Sequence, residues 1–364
     1  MSKVFIVVGT RPEAIKMAPL FKAMSSFDGL TPILVSTGQH KEMLAQVFDW
    51  FDIQPSEDLS VMTPNQTVNM VLSKSLIGLD ELILKHRPQA VLAQGDTTTV
   101  LAAALAAFNN QIDFGHIEAG LRTYTLDKPY PEEGYRQMAA RVAKWHFAPT
   151  DLAASTLGKE ALQGEIHQVG NTVIDALLQT ASGDHKAPVD TNGRPYVLIT
   201  GHRRENHEKF RAIFEAFGVL AEKYSDIDFV YPVHLNPKVK LVAHDVLAGV
   251  TNFHLVEPLS YPDIVAQMKS ARIILTDSGG IQEEAPSFKV PVLVMRETTE
   301  RQESVDAGAA KLIGAAPETI IAEVSRLLDS EDARKEMQIE TNPFGDGKSS
   351  MRICEILAKS IAGA

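Results

Sequence analysis

Three acidic side chains in the first half of this 364-residue chain stand where they could exchange protons with a ligand. Asp96 lies three residues after the apolar run 90–93, and Glu118 directly follows the apolar run 114–117. Glu132 comes after two prolines and begins a helical pattern. Carboxylates gathered at strand ends suit general acid–base chemistry. Asp96 could instead cap a helix, and Glu132 could simply complement a helix dipole.

Basic side chains near these carboxylates would favour an anionic ligand. Arg11 and Lys16 lie in GTRPEAIK directly after the first apolar run, and Arg136 follows the last of the three carboxylates. Gly9 permits a tight turn, and a helix that starts there would present free N–H groups to an anion. The pattern predicts proton transfer next to a bound anion. The alternative is a capped helix with solvated basic side chains.

The second half of the chain has a similar set of polar segments. His202 and Arg203 follow the apolar run 196–199 within GHRREN, and His234 lies in YPVHLNP after the run 229–233. Arginine and histidine at a strand end suit a phosphate group. The alternatives are a basic surface patch for the first segment and a structural histidine for the second.

The strongest local pattern for ligand binding is TDSGGIQEEA, which follows a short apolar run. Ser278 supplies a hydroxyl, and Gly279 and Gly280 would let the backbone approach a diphosphate at the start of a helix. Glu284 could accept hydrogen bonds from ribose hydroxyls, and Arg301 could close over the same ligand. These residues predict a nucleotide site, with a plain helix start as the alternative.

Short apolar runs that alternate with helical stretches must position these residues. Their β-branched composition indicates buried parallel strands joined by right-handed crossovers, which predicts an α/β fold. Ligands bind at the carboxyl ends of such strands, and the polar segments follow those ends. The runs are 4–8, 33–35, 90–93, 114–117 and 145–148 in a first series, and 196–199, 229–233, 253–256, 273–275 and 290–295 in a second.

The two series predict two domains, in keeping with the length of the chain. A stretch rich in small residues, Pro and Gly spans 180–195 and has no periodic apolar pattern, as expected of a linker or surface connection. We place the boundary near residue 170, which gives domains of 1–170 and 171–348. The tail 349–364 has apolar residues at helical spacing and needs a surface to pack on.

Composition narrows the possible functions. The chain has 35 Lys and Arg against 46 Asp and Glu, a formal net charge of −11, so we do not expect it to bind nucleic acid. No apolar run approaches the ~18 residues of a membrane helix. The single cysteine, Cys354, excludes an intramolecular disulfide and a cysteine-rich zinc site. We expect a cytoplasmic protein without metal or cofactor, since the start lacks a secretory apolar run and G-x-G-x-x-G is absent.

Nine segments occur in order along almost the whole chain: GTRPEAIKMAPL, QGDTTT, GHIEAGLRT, PYPEE, GNTVIDAL, GHRREN, YPVHLNP, TDSGGIQEEAP and TTER. Together they make the sequence resemble the non-hydrolysing bacterial UDP-N-acetylglucosamine 2-epimerases. The resemblance implies a GT-B-like fold of two Rossmann-like domains whose parallel sheets face a central cleft, with the helix 349–364 packing back on the first domain. It also implies reversible conversion of UDP-GlcNAc into UDP-ManNAc for bacterial surface polysaccharide. The implied route is anti elimination of UDP to 2-acetamidoglucal and re-addition.

The resemblance also assigns roles to individual residues. The implied catalytic residues are Asp96, Glu118, Glu132 and His202, and the implied substrate-binding residues are Arg11, Lys16, Arg136, Arg203, His234, Ser278, Gly279, Gly280, Glu284 and Arg301. Bacterial members are often activated by a second UDP-GlcNAc, and Gln39, His40 and Glu42 match part of that region. Relatives are commonly homodimers, so the resemblance implies a homodimer here.

Other functions share parts of this pattern. The chain departs from the family pattern at Asn65, at Gln94, where His is usual, and at Gln302, where Pro is usual. An epimerase for another UDP-2-acetamido sugar, such as a 2,3-diacetamido uronic acid, would use the same scaffold. A GT-B glycosyltransferase would explain the nucleotide site but not three acidic strand-end segments. A hydrolysing epimerase fused to a kinase would need a longer chain, and a nucleotide sensor would bind a UDP-sugar without turnover.

Overall fold

A computed structural model describes residues 1–39, 41–201, 210–234 and 236–363. It divides the chain into two compact units. The first unit comprises Met1–Gln179 and Phe344–Ala364, and the second comprises Thr180–Pro343.

Strands and helices alternate along the described chain, as the apolar runs predict. The strands are β1 Ser2–Val8, β2 Leu30–Ser36, β3 Glu57–Asp58, β4 Ala90–Gln94, β5 Asp113–Ile117, β6 Trp145–Ala148, β7 Glu165–Gln168, β8 Tyr196–Thr200, β9 Asp228–Pro232, β10 Phe253–Val256, β11 Ile273–Thr276, β12 Val292–Val294 and β13 Ala310–Leu312. The helices are α1 Arg11–Ser25, α2 Lys41–Trp50, α3 Val68–His86, α4 Thr98–Asn109, α5 Glu132–Val142, α6 Asp151–Gly158, α7 Thr172–Ala181, α8 Phe210–Lys223, α9 Pro237–Leu247, α10 Tyr261–Lys269, α11 Gly279–Glu284, α12 Gln302–Asp306, α13 Pro317–Asp329, α14 Glu331–Lys335 and α15 Ser349–Ala362. A short 3-10 helix, Ala285–Phe288, follows α11.

Each unit contains one parallel sheet. The first sheet has the strand order β3-β2-β1-β4-β5-β6-β7, and the second has the order β10-β9-β8-β11-β12-β13. Every strand pair in the described residues is parallel. The carboxyl ends of the strands therefore meet at one edge of each sheet, where the polar segments follow.

Apolar burial on both faces of the central strands explains their nearly continuous hydrophobicity. Phe5, Val7 and Phe114 lie in the core of the first unit, and Phe229 and Leu275 lie in that of the second. Each of the ten apolar runs coincides with a strand, which confirms the predicted α/β class. Three edge strands lie outside these runs: β3 and β13 have only two and three residues, and β7 is largely exposed and has no apolar run.

The division between the units differs from the predicted boundary near residue 170. The first unit continues through Gln179. Asn171 donates its backbone N–H to Phe344 O at 2.7 Å, which ties the start of α7 to the returning chain. Residues 171–179 therefore belong with the first unit, although the linker-like composition begins only at 180.

The chain also returns to the first unit earlier than the predicted residue 349. Phe344 already belongs to that unit. Asp175 on α7 is buried and accepts hydrogen bonds from the backbone N–H groups of Ser349 at 3.2 Å and Ser350 at 2.7 Å. A carboxylate thus occupies the amino-terminal end of α15, where the helix dipole favours negative charge. Helix α15 packs against α1.

None of the helices in the described residues is long and apolar enough to cross a membrane. This agrees with the absence of a long apolar run from the sequence.

Two histidines lie fully inside the first unit on neighbouring strands. His116 on β5 is paired in register with His146 on β6, and their side chains are 1% and 0% exposed. Burial lowers the pKa of both imidazoles to about 4, and the charge of protonated His116 lowers the pKa of His146 further. His146 has no hydrogen-bond partner for either ring nitrogen among the described residues.

These histidines should make the fold sensitive to acid. The folded-state pKa values of about 4 lie below the unfolded value of ~6.5, so the unfolded chain binds more protons between these pH values. The free energy of unfolding should be unaffected by the pair above pH ~6.5 and should fall as the pH drops towards 4, by about 3 kcal/mol per histidine. Urea unfolding of the wild type and of His146→Leu, measured from pH 7.5 to 4.5, checks this. The variant should have the shallower pH dependence, and equal slopes would contradict the assignment.

Candidate active site

The segment after β1 begins α1 with its own carboxylate. Glu13 Oε2 accepts the backbone N–H groups of Gly9 and Thr10, both at 2.7 Å, and the Thr10 hydroxyl at 3.0 Å. This capping box occupies the N–H groups of Gly9 and Thr10, so these two donors are not available to an anionic ligand. Burial raises the pKa of Glu13, although these hydrogen bonds oppose the shift. Arg11 is partly exposed and has no ion pair with any described residue, so its charge is available to a ligand.

Lys16 and Glu118 form an ion pair. Lys16 Nζ lies 2.5 Å from Glu118 Oε2, and Gln94 Nε2 donates to the same oxygen at 2.5 Å. Glu118 is 8% exposed and has a backbone φ of 61°. A positive φ in a non-glycine residue is uncommon and is found at functional sites more often than elsewhere. The ends of β4 and β5 therefore converge on one buried carboxylate matched by one cation.

Asp96 forms a second such pair. Arg136 Nη2 and Nε lie 2.7 and 2.8 Å from Asp96 Oδ2, and Arg136 Nη1 lies 3.3 Å from Glu133 Oε2. The N-cap of α4 is Thr97, whose side chain accepts the Val100 N–H, so the alternative that Asp96 caps this helix is wrong. Asp96 is instead directed towards the guanidinium of α5.

Glu133 organises the loop in front of α5. It is fully buried and accepts the backbone N–H groups of Thr123 at 3.0 Å and Tyr124 at 3.1 Å, as well as Gln137 Nε2 at 2.8 Å. Burial alone would raise its pKa, but these hydrogen bonds and the Arg136 charge together lower it. Glu133 therefore has a structural role that goes beyond complementing a helix dipole.

Glu132, the first residue of α5, differs from the other carboxylates. Its Oε2 is buried and has no hydrogen-bond partner within the described part of the chain. The structure thus brings Asp96 to Arg136 and Glu118 to Lys16, and it leaves one oxygen of Glu132 unpaired. An unpaired carboxylate oxygen can receive a proton without first breaking an ion pair.

His116 supports the loop that carries Asp96. Its Nε2 donates to Gly95 O at 2.7 Å, and the Gly95 N–H donates to Ile117 O at 3.0 Å. Gly95 has a φ of 86°, a conformation that favours glycine. The turn before Asp96 is therefore held at both its N–H and its carbonyl.

The predicted nucleotide segment lies at the carboxyl edge of the second sheet. The Ser278 N–H donates to Thr276 Oγ1 at 2.9 Å, and α11 begins at the next residue. Glu284 at the end of α11 is 6% exposed and accepts the Tyr261 hydroxyl at 2.9 Å. Burial, and then the Glu284 charge, raise the pKa of Tyr261 well above its usual value, so it is a hydrogen-bond donor at neutral pH.

Arg301 lies against the start of α11. Its Nε donates to Glu283 Oε1 at 2.8 Å, and a β-carbon at Gly279 would lie 3.2 Å from its Cζ. The absence of a side chain at Gly279 is what lets the guanidinium lie over this backbone. A β-carbon at Gly280 would meet Glu284 Oε2 at 3.9 Å, an ordinary contact. The structure therefore brings together the predicted nucleotide-binding residues, because Arg301 lies against the short segment that contains Ser278, Gly279, Gly280 and Glu284.

The loop that carries Arg301 is fixed by a second arginine. Arg296 Nη1 lies 3.0 Å from Glu300 Oε2. Although burial would raise the pKa of Glu300, its hydrogen bond and charge interaction with Arg296 lower it to about 2. Thr299 Oγ1 donates to Gln282 Oε1 at 2.7 Å, which joins the loop directly to α11.

The remaining predicted residues are distributed more loosely. His234 is exposed, and its Nδ1 accepts the Asn236 N–H at 3.1 Å. Gln39 Nε2 is buried with no hydrogen-bond partner in the described ranges, and Glu42 is exposed in the first turn of α2. His40, His202 and Arg203 lie outside the described residues. In the part of the chain that the structure describes, no group of three or more His, Cys, Asp or Glu side chains could hold a metal ion.

Four residues of these clusters were not proposed as site residues from the sequence, although Gln94 was noted as a departure from the family pattern. Glu13 was recognisable from the Thr-x-x-Glu spacing of a capping box, which the sequence analysis did not use. Gln94, Glu133 and Tyr261 gave no such signal, because their roles depend on partners from other strands and loops.

Comparison with known proteins identifies the family. A family model described as UDP-N-acetylglucosamine 2-epimerase matches residues 22–358. A UDP-N-acetylglucosamine 2-epimerase of Campylobacter jejuni is 44% identical over 378 residues, which cover 99% of this chain and 98% of that protein. The structure of the Neisseria meningitidis UDP-GlcNAc 2-epimerase bound to UDP-GlcNAc is 42% identical, with a TM-score of 0.89 and coverage of 98% of this chain and 100% of that one.

A more distant structure supports the fold class. A glycosyltransferase of kitacinnamycin is 13% identical, with a TM-score of 0.67 over 98% of both chains, and this likeness shows the GT-B-like fold alone. The family model and the full-length relatives, in contrast, show that the chain belongs to the UDP-N-acetylglucosamine 2-epimerases, a family of isomerases.

Proposed function

We propose that this chain interconverts UDP-GlcNAc and UDP-ManNAc in the cytoplasm, in the supply of bacterial surface polysaccharide. The observation that carries the proposal is the edge of the first sheet, where Lys16–Glu118 and Arg136–Asp96 form two ion pairs and Glu132 keeps an unpaired oxygen. Such a set can both stabilise charge and move protons. The UDP-GlcNAc named in the Neisseria meningitidis structure supports the choice of substrate.

The chemistry of the substrate requires such a site. The proton at C2 of the sugar is only weakly acidic, and a positioned base contributes about 10²–10⁴ in rate, which is too little alone. Cleavage of the C1–O bond must therefore supply much of the driving force, with positive charge developing at C1. Anti elimination of UDP would give 2-acetamidoglucal, and re-addition of UDP after reprotonation on the other face would give the epimer.

The departing diphosphate needs positive charge that is already in place. We assign Arg11 and Lys16 of the first unit to this task. His202 and Arg203, which lie outside the described residues, are assigned to it as well. Arg301 is assigned to the same task in the second unit, because its guanidinium lies against the start of α11.

The nucleotide is assigned to the second unit. Ser278, Gly279 and Gly280 would receive the diphosphate, because their backbone begins a helix and the glycines have no side chains that would keep a ligand away from it. Glu284 would accept the ribose hydroxyls, since the Tyr261 hydroxyl holds its carboxylate in one orientation. His234, which is exposed next to β9, is assigned to substrate contact as well.

The three catalytic carboxylates are assigned different tasks. Asp96 and Glu118 each face a cation at ion-pair distance, so they suit the stabilisation of charge and the fixing of the sugar. Glu132 has an oxygen without a partner among the described residues, so it suits proton exchange at C2. Because epimerisation needs proton transfer on both faces of the sugar, one of the paired carboxylates must serve the second face.

A second UDP-GlcNAc is proposed as an activator near the carboxyl end of β2. Gln39, His40 and Glu42 are the residues assigned to it. Gln39 has a buried amide nitrogen with no partner in the described chain, and Glu42 is exposed beside it. A ligand amide or hydroxyl could satisfy this nitrogen.

A homodimer is proposed through α3 and α4. Met70, Ile77 and Leu84 recur every seven residues along α3 and are 47%, 61% and 64% exposed. Phe108 on α4, which packs beside α3, is 59% exposed. An apolar stripe on a helix surface indicates a partner, and a second copy of the chain would present the same self-complementary stripe across a two-fold axis.

The reaction is tested by a proton NMR time course with UDP-GlcNAc in D₂O. We expect UDP-ManNAc to appear with deuterium at C2, because the proton removed is exchanged with solvent before the other face is protonated. This result would exclude a route through oxidation at C4 and a simple transfer reaction. If neither a new sugar nucleotide nor C2 exchange appears, the proposed substrate is wrong, and another UDP-2-acetamido sugar or a glycosyl acceptor must be tried.

The role of Glu132 is tested by Glu132→Gln. We expect kcat for epimerisation to fall about 10²–10⁴-fold, since the amide cannot take up the C2 proton. The free energy of unfolding should change by less than about 0.5 kcal/mol, because Oε2 has no hydrogen bond to lose among the described residues. Glu133→Gln, at the adjacent buried carboxylate, should instead lower stability. Unchanged C2 exchange in Glu132→Gln would refute the assignment.

The dimer interface is tested by Ile77→Asp, which places a charge in the centre of the apolar stripe. Sedimentation equilibrium should give a dimer mass for the wild type and a monomer mass for this variant. Leu241→Asp is the matched control, because Leu241 is 73% exposed on α9 in the second unit, and it should leave the mass unchanged. A wild-type monomer, or a dimer that survives Ile77→Asp, would rule out this interface.

A further inference from the structure

We propose that Glu13 is a positioning residue that holds the loop of Asp96 in register with the segment of Arg11 and Lys16. The inference rests on the reaction proposed above. Glu13 is 2% exposed, and none of its hydrogen bonds is to a member of the two ion pairs, so it acts on the reaction through the loops it joins.

One oxygen of Glu13 is explained by local structure. Oε2 accepts three hydrogen bonds from Gly9 and Thr10, which together with the helix start form a capping box. Such a box needs an oxygen at this position, and Gln supplies one as well as Glu does. The cap therefore does not account for the choice of a buried carboxylate.

The other oxygen reaches a different loop. Oε1 accepts the hydroxyl of Thr97, which is 84 residues away in the sequence and directly follows Asp96. Thr97 is the N-cap of α4, and its hydroxyl oxygen accepts the Val100 N–H at 3.4 Å. The Thr97 hydroxyl has a single proton, which goes to Glu13, and this fixes its lone pairs towards the helix.

Only a carboxylate can accept hydrogen bonds from the Gly9–Thr10 segment and from the Thr97 hydroxyl at the same time. An amide at position 13 would still cap α1 with its oxygen, but it would point its NH₂ group at the Thr97 hydroxyl. That hydroxyl would then face a donor, and its own proton would lose its acceptor. Burial raises the pKa of Glu13, so a neutral amide would avoid a desolvation cost that the carboxylate incurs. The hydrogen bond that Oε1 accepts from Thr97 therefore explains why a carboxylate is present despite this desolvation cost.

The surrounding packing would transmit any shift of the Thr97 loop. A β-carbon on Gly9 would lie 2.1 Å from Thr99 Oγ1 and 2.5 Å from Thr37 Oγ1, so the loops after β1, β2 and β4 are in close contact. The Thr37 and Thr99 hydroxyls are themselves 3.0 Å apart. A displacement at Thr97 would therefore reach Asp96 and the start of α1 together.

The test compares Glu13→Gln, Thr97→Val and Thr97→Ser with the wild type in the epimerisation of UDP-GlcNAc. Glu13→Gln and Thr97→Val should each lower kcat about 10–100-fold, the scale expected for a small misplacement of a reacting group. KM and the affinity for UDP, measured by calorimetry, should change less than about 3-fold. Thr97→Ser keeps the hydroxyl and should keep kcat within about 3-fold of the wild type.

The matched control is Thr150→Val. Thr150 is a buried threonine N-cap in the same unit, and its side chain accepts the Ala153 N–H at 3.1 Å. This variant should lower stability as Thr97→Val does, with kcat within about 2-fold of the wild type, because the lost cap does not join the two loops. A merely structural role for the Glu13 contact would make the two valine variants behave alike.

The outcomes separate the two proposals. If the wild type does not epimerise UDP-GlcNAc, the proposed function fails, whatever the variants do. If the wild type is active and both Glu13→Gln and Thr97→Val keep its kcat, the positioning role is wrong. Should Glu13→Gln fail to fold, the difference between Thr97→Val and Thr97→Ser decides the question, and equal kcat values for these two would overturn the inference.

Discussion

A carboxylate removed from water must find hydrogen-bond donors or a cation, and this requirement determines how the carboxyl edge of the first sheet is built. Glu13 accepts hydrogen bonds from two loops, and Glu118 accepts them from Lys16 and Gln94. Glu133 accepts hydrogen bonds from two backbone N–H groups and pairs with Arg136. Glu13 and Glu118 join segments that are far apart in the sequence, and Glu133 joins α5 to the loop in front of it. The site is therefore positioned by the same hydrogen bonds that make burial of its charges tolerable.

Most strands of the sheets can be predicted from the sequence because each of them is marked by an apolar run within a few consecutive residues. Each central strand is buried on both faces, so its apolar run can be recognised without knowledge of its neighbours. The boundary between the units depends instead on contacts such as Asp175 with the start of α15 and Asn171 with Phe344, which join residues about 170 positions apart. The local composition near residue 170 does not depend on those contacts. The predicted boundary therefore differs from the observed division, which follows Gln179.

The same distinction applies to the site. Parallel strands guarantee that Asp96 and Glu118 follow strands at one edge, so their placement could be predicted. Which partner each side chain chooses could not be predicted, because Arg136 and Lys16 come from helices that follow other strands. The first helix illustrates the limit most clearly. Its start has the sequence of an anion site, yet the N–H groups of Gly9 and Thr10 already donate to Glu13, the third residue of the helix.

The two units meet different chemical demands. In the second unit, Arg301 lies against the glycine that begins α11, and Arg301 and Glu284 are each held in place by a neighbouring side chain, an arrangement suited to binding. In the first unit, Asp96 and Glu118 are each paired with a basic side chain, an arrangement suited to charge stabilisation. The proposed elimination requires both properties, because the leaving group must be held while the proton is taken.

Three carboxylates that look equivalent in the sequence become distinct through their partners. Lys16 and Gln94 both donate to one oxygen of Glu118, and Arg136 donates two hydrogen bonds to one oxygen of Asp96. The Gln94 amide cannot titrate, so it serves only as a donor that fixes the orientation of Glu118. Glu132, at the start of α5, has no such restraint on its buried oxygen among the described residues. In the proposed reaction, Glu132 could take up a proton without breaking an ion pair, whereas the paired acid that serves the second face would have to change its charge next to its cation.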